Sequence, residues 1–448
     1  MSADAARLRF EYEWEPGEGV RSPELAATWC RLEIWVGSDC VSRVDDRESG
    51  SNRRSLYCSL YPLAEWIAYN WWLIQADVRP TALHPHRWSF SQLRSDQAHK
   101  HTWLRHHNLR AAGDGFLWPN VTIVPEGGHT RIVWVADDDP PIAWPSHFTT
   151  SGESLVDGGT VRRALAELVE SVLTRLAERG ITDSTLLREW RANDELSDDE
   201  REFCLATARL GFDPYSTAPE FAEELVRVSE QFQGELFGEF LDAVDPALLG
   251  PGADWVVASL ADIRSTTTLP ADDRISEVRA AVDRVAANGA PRPWTIGYHQ
   301  AASAREALEL DRTQPVMPEH LMTIVPSTEV ESALQGLGGS SERHAPTLVL
   351  GASARIDTTK RFAAARALWH FAAQPAREAF LLTPTRTDVR KIERAFAAEL
   401  LAPATGIREQ LGREPATATD DDLDAAADHY GVSPLLIRHQ VENQLLEA

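Results

Sequence analysis

Two stretches near the C-terminus decide how this chain is read: Arg361-Phe362-Ala363-Ala364-Ala365-Arg366-Ala367-Leu368-Trp369-His370 and Lys391-Ile392-Glu393-Arg394-Ala395-Phe396-Ala397-Ala398-Glu399-Leu400-Leu401-Ala402-Pro403. At helical spacing the first places Phe362, Ala365, Trp369 and Ala372 on one apolar side. Arg366 and His370, four residues apart, share the other. This helix is expected to run from Arg361 to Ala373, with Asp357-Thr358-Thr359 as its cap. The second helix starts at Thr387, runs to Leu401 and is stopped by Pro403. Upstream, the apolar run Thr347-Leu348-Val349-Leu350 reads as a buried strand.

Working outward, a helix is expected around Ala301 to Leu310, followed by a short segment at Leu321 to Val325. The chain ends on helix, turn and helix, with Ser433 as N-cap and Pro434 at the first position of the last helix. A DNA-reading module is the tempting interpretation of that ending. Residues 414 to 448, however, hold eight acids and the single arginine Arg438, so a packing role is preferred.

A strand, then the helix carrying Arg366 and His370, then a helix reading Glu393-x-x-Phe396-Ala397-Ala398-Glu399-Leu400-Leu401-x-Pro403 together resemble the ImmA/IrrE metallopeptidase family. The stretch Arg361 to His370 is similar to that family's R-F-x-x-A-H-E-L-G-H. Trp294 to Leu310 resembles its leading element, and Leu423 to Pro434 its closing L-A-x-x-F-G-V-S. The likeness covers Trp294 to Gln444, about a third of the chain. It implies a zincin-like domain in which the two histidines of H-E-x-x-H and the glutamate of the second helix hold zinc. The glutamate of H-E-x-x-H would be the general base.

This sequence departs from that pattern where the chemistry lies. Arg366 stands at the first histidine and Ala367 at the catalytic glutamate; His370 and Glu393 alone remain on ligand positions. Catalytic zinc needs three protein ligands and an open position, and alanine cannot take a proton from water. Family-type peptidase chemistry is therefore expected to be lost. The preferred reading is a structural pair between Arg366 and Glu393, with His370 alongside and no cofactor. The alternatives are a rebuilt zinc site borrowing His320 or His344, or a cleft used as a ligand or peptide pocket.

The rest of the chain has a different texture. Residues 1–155 hold 11 of the 15 Trp and 8 of the 14 His. Strands are expected at Arg7 to Trp14, Thr28 to Val36 and Ser55 to Leu60, with Asp45 to Asn52 as a turn. A helix follows from Leu63 to Ile74. A hairpin of Asn120 to Val124 and Arg131 to Ala136 turns at Glu126-Gly127-Gly128, and the acidic, proline-rich Asp137 to Pro145 closes the region. Residues 156–290 read as all helix, with Thr160 and Ser197 as caps. Trp71, Trp72, Asp114 and Trp118 form an aromatic-rich set that would be a protein-binding surface if exposed and core if buried. His84, His86, His99, His101, His106 and His107 lack metal-ligand spacing and read as ordinary polar residues.

With 44 basic and 68 acidic residues, the net charge of −24 disfavours nucleic acid as a partner. No stretch approaches the roughly 18 apolar residues of a membrane span, no secretory leader is visible at Met1 to Pro16, and four scattered cysteines fit no disulfide framework. A cytoplasmic bacterial protein is expected. The combined reading is an α+β chain with a Trp-rich mixed α/β domain (1–155), an all-helical region (156–290) and a degenerate ImmA/IrrE-like domain (291–448). The resemblance implies a regulatory, protein-binding role, with a transcriptional regulator as partner. An active zinc peptidase with displaced ligands is one alternative, and a stand-alone binding module in the N-terminal domain is another.

Overall fold

The computed structural model describes residues 7–47, 50–78, 98–137, 146–266, 273–285, 292–326, 333–341, 344–351, 356–412 and 414–446. The fold is mixed α+β, with sheets in the N-terminal part and a mostly helical C-terminal part. It divides into two compact units between Thr217 and Ala218. The helical stretch 156–290 is thus shared between the units, because its apolar faces are buried in two separate cores. Among the described residues no helix is long and apolar enough to cross a membrane. All four cysteines are buried and free.

In the first unit the strands are β1 (Leu8–Trp14), β2 (Trp29–Val36), β3 (Asp39–Cys40), β4 (Val44–Asp46), β5 (Ser51–Arg53), β6 (Leu56–Ser59), β7 (Val121–Glu126), β8 (His129–Trp134), β9 (Ser146–Phe148) and β10 (Gly152–Asp157). Its helices are α1 (Pro23–Ala27), α2 (Tyr61–Tyr69), α3 (Trp71–Ala76), α4 (Ala98–His107), α5 (Gly158–Glu178), α6 (Thr185–Asp194) and α7 (Asp198–Arg209). Alternation in β1 sets Leu8, Phe10, Tyr12 and Trp14 toward the core while β1 pairs antiparallel with β2. The 121–134 hairpin forms at Gly127 and Gly128 as the sequence indicates, and β10 adds to β8. Val161, Leu165, Leu168, Val172 and Leu176 of α5 are buried in the same core.

Local details differ from expectation for local reasons. The cap of α5 is Asp157, whose carboxylate accepts from the Thr160 N–H at 2.7 Å. The helix read at Leu63 to Ile74 is broken at Asn70 into α2 and α3, the Asn70 amide donating to the Trp66 carbonyl at 2.7 Å. Part of the turn read at Asp45 to Asn52 is the paired strands β4 and β5. Ser197 forms the full capping box with Glu200. Most of Asp137 to Pro145 lies outside the described residues.

The second unit contains α8 (Pro219–Ser229), α9 (Gly234–Ala243), α10 (Leu249–Ser265), α11 (Asp273–Arg284) and α12 (Pro293–Ala307), then strands β11 (Thr323–Pro326), β12 (Gly336–Ser341) and β13 (His344–Leu350). They are followed by α13 (Asp357–Ala373), β14 (Ala379–Leu382), α14 (Asp388–Leu401), α15 (Ala404–Leu411), α16 (Asp420–Tyr430) and α17 (Pro434–Gln440). The sheet order is β11-β13-β12-β14, with β11 and β13 parallel and β12 antiparallel to both neighbours. Strand β12 has no counterpart in the sequence reading, since Gly336-Leu337-Gly338-Gly339 carries little strand signal. Its glycines serve packing: a Cβ on Gly338 would fall 2.2 Å from the Phe380 ring.

The helix α13 starts at Asp357, with Ile356 as an N-cap that makes no side-chain hydrogen bond; Asp357, Thr358 and Thr359 form its first turn and not its cap. Residues Ala363 to Ala372 are all buried, so both of its sides are interior. Arg361 fixes its start, donating to Glu319 (3.2 Å) and to the Gly431 carbonyl (2.7 Å). Helix α12 lies directly against α14. A Cβ on Gly297 would meet the Ile392 carbonyl oxygen at 2.3 Å and the Phe396 nitrogen at 2.9 Å. Backbone atoms cannot yield as a flexible side chain can. Gly297→Ala is therefore expected to lower stability by about 1–3 kcal/mol, although alanine favours a helix over glycine by about 1 kcal/mol. Urea unfolding checks the sign, and unchanged or raised stability would refute the close contact.

Candidate functional site

Helices α13 and α14 bring the two decisive stretches together. Glu393 and His370 are fully buried, and Arg366 and Arg390 almost so. Arg366 Nε donates to Glu393 Oε1 at 2.9 Å, and its Nη2 makes a second, shorter contact to the same oxygen. The remaining guanidinium donors reach Gln335 Oε1 (2.5 Å) and the Thr383 carbonyl (2.8 Å). On the other carboxylate oxygen, Arg390 Nη1 donates at 2.8 Å and His370 Nε2 makes a close contact. Arg390 Nη2 also lies 2.7 Å from Glu239 Oε1, and Arg377 pairs with the same carboxylate at 2.9 Å.

The result is a network of three guanidinium groups around two carboxylates, Glu393 fully buried and Glu239 partly exposed, with an imidazole inserted. His370 stacks on Phe380 at 4.1 Å between ring centroids and has Nδ1 2.9 Å from the Gln374 side-chain oxygen. Burial pushes the His370 pKa below its ordinary value, against the pull of Glu393. Burial alone would raise the Glu393 carboxyl, but Arg366, Arg390 and His370 hold it well below the usual carboxylate range. Arg394, next along α14, donates to the Thr383 and Thr385 carbonyls at 2.9 and 2.6 Å. Burial and the neighbouring Arg366 push it down to about 10, which leaves it charged at neutral pH.

The zinc that the family resemblance implies does not fit these residues. Both Glu393 oxygens already accept hydrogen bonds, and His370 Nε2, which would face a metal, faces Glu393 with Arg390 Nη1 only 3.0 Å away. Two ligands are left where three are needed, and two fixed cations adjoin them. Ala367, which stands where the resemblance would put a general base, is buried and carries nothing that could move a proton. Among the described residues no three His, Cys, Asp or Glu side chains group as metal ligands. His320 is exposed in the turn before β11, and the His344 side chain lies outside the described residues.

Sequence reasoning named Arg366, His370 and Glu393 but missed Arg390, Glu239 and Gln335. Arg390 was legible in principle, three residues before Glu393 on one helix face. Glu239 had no local signal, since more than 130 residues separate it from the arginines it pairs with.

The aromatic set in the first unit does not form the surface considered for it. Trp118 is 1% exposed, with its indole N–H on the Gly113 carbonyl at 3.2 Å. Trp72 is buried and donates to Asn193 Oδ1 at 2.7 Å. Trp71 is half-buried with its ring edge on Trp190, and only Asp114, in a left-handed turn position, is exposed. Their large apolar area draws the tryptophans inward wherever the N–H finds a partner. His107 is likewise interior, against Ile123 and Asp77, and His106 faces Asn70. His84 and His86, and the side chains of His99 and His101, lie outside the described residues. At the C-terminus Arg438 pairs with Asp420 at 2.8 Å. A scan of protein-family models and a search of curated proteins return no match for this chain.

The shifts of Glu393 and His370 act in one direction. Each binds a proton more weakly folded than unfolded, so the unfolded chain takes up more protons on acidification and stability falls. The His370 share is intact above about pH 6.5 and lost as pH falls further; the Glu393 share is intact above about pH 4.5 and lost below it. Glu393→Gln leaves Arg366 and Arg390 buried without their shared carboxylate, an expected loss of about 3–5 kcal/mol at pH 7. Urea unfolding across pH checks both parts: the variant should be less stable at pH 7 and lose less stability than the parent below about pH 4.5.

Proposed function

We propose that this chain is a non-hydrolytic, metal-free binding protein built on an ImmA/IrrE-like scaffold, acting through a protein partner in a regulatory role. One observation carries the reading: the Arg366 guanidinium bonds the carboxylate of Glu393, while Ala367 occupies the place of a general base. A cation on the ligand position supplies charge balance to Glu393 without a metal, and the hydrolytic water has neither an activator nor a proton acceptor. The buried network then keeps α13 and α14 together, and the scaffold outlasts the chemistry. The partner class, a transcriptional regulator bound without being cut, comes from the resemblance alone.

Metal analysis of the protein purified from zinc-supplemented medium is the test. Substoichiometric zinc is expected, with no rise in melting temperature on adding zinc to the purified protein. Stoichiometric zinc that disappears in both His370→Ala and Glu393→Ala would overturn the reading in favour of a peptidase with rearranged ligands.

A further inference from the structure

A cavity of about 740 Å³ in the second unit is walled by the start of α12, the start of α13, the middle of α14 and helix α17, and includes none of Arg366, His370, Arg390 and Glu393. That volume suits a small organic molecule. Its composition runs against the rest of the chain. The protein carries a net charge of −24, yet Arg292, Lys391, Arg394 and His439 line this cavity, and no Asp or Glu is among its described lining residues. Lys391 keeps a carboxylate neighbour just outside, Asp388 at 3.5 Å. The Arg394 guanidinium is fixed by donating to the Thr383 and Thr385 carbonyls.

The backbone adds to the same sign. Helices α12 and α13 both open onto the cavity, through Arg292 and Trp294 in one case and Thr358 and Thr359 in the other. Neither N-cap makes a side-chain hydrogen bond. The partial positive ends of two helices thus stand beside the three cations. The other wall is aromatic. Trp294, Tyr298 and Phe362 line it, and the Arg292 guanidinium sits over the Trp294 ring at 5.4 Å. Such a pairing presents a cation and a flat apolar face to one occupant.

We infer that this cavity binds a small organic anion, an acid or phosphate head group on a planar or apolar body, with the head toward Arg292, Lys391 and Arg394 and the body against Trp294, Tyr298 and Phe362. The inference does not depend on the fate of the metal site.

Titration of the full chain with anilinonaphthalene sulfonate, and with phenylnaphthylamine as the same body without the charge, tests it. The sulfonate should bind one per chain and about tenfold or more tighter than the neutral compound. Arg292→Gln with Lys391→Gln should weaken the sulfonate about tenfold or more while leaving the unfolding transition unchanged. Phe362→Ala should weaken both compounds. Competition by naphthoate or by adenosine monophosphate separates a carboxylate head group from a phosphate. Equal binding of the charged and neutral compounds, an unchanged affinity in the double variant, or failure of both competitors would overturn the inference.

Discussion

The second unit depends on one buried carboxylate. Glu393 has no exposure to water and shares its two oxygens among Arg366, Arg390 and His370. An isolated ion at that depth would be prohibitively costly, so every partner must be in place at once. Arg366 is held by Gln335 and Thr383 as well as by Glu393, and Arg390 is held from the other side by Glu239. Strand β12's approach, the end of β14 and helix α9 are thereby tied to the contact between α13 and α14. A network of this kind contributes little net stability over an apolar core of the same shape, but it penalises any arrangement that leaves one member unpaired.

The same network explains why Glu393 and His370 do not present a zinc site. A zinc ion requires lone pairs directed at an open position; here the lone pairs of Glu393 are already met by N–H donors, and His370 is packed between Phe380 and the carboxylate. The guanidinium groups supply charge neutralisation, directionality and several donors, which are the structural services a metal renders, without its Lewis acidity. The aromatic, cation-lined cavity beside α12 and α17 is made by other faces of the same helices and meets the network only through Arg394.

Much of the fold was legible locally. Alternation marked β1, the Gly127-Gly128 turn marked the 121–134 hairpin, and Ser197 and Ser433 capped the helices they were expected to cap. Local reading failed where a tertiary contact overrode it. In strand β12 Gly338 leaves room for the Phe380 ring and Gly339 for the Glu378 carbonyl and Ile263, and α13 looked two-sided because Arg366 and His370 are polar, whereas both sides are interior. Trp72 and Trp118 could have been surface or core on sequence grounds; the partners that decided for core, Asn193 and Gly113, could not be read beforehand.

For the site, the amino-acid sequence by itself determined which groups are present: a guanidinium and an imidazole one turn apart on one helix, with an alanine between them, and a glutamate flanked by arginines on the next. Those relations are set by helical spacing, which acts over three or four residues. Only the tertiary structure decided that the groups converge out of water, that Glu239 joins Arg390 and Arg377 from a distant helix, and that two helix ends and three cations share one cavity. Such pairings join elements scores of residues apart. They exist only because burying the apolar faces of α12, α13 and α14 brings those elements together.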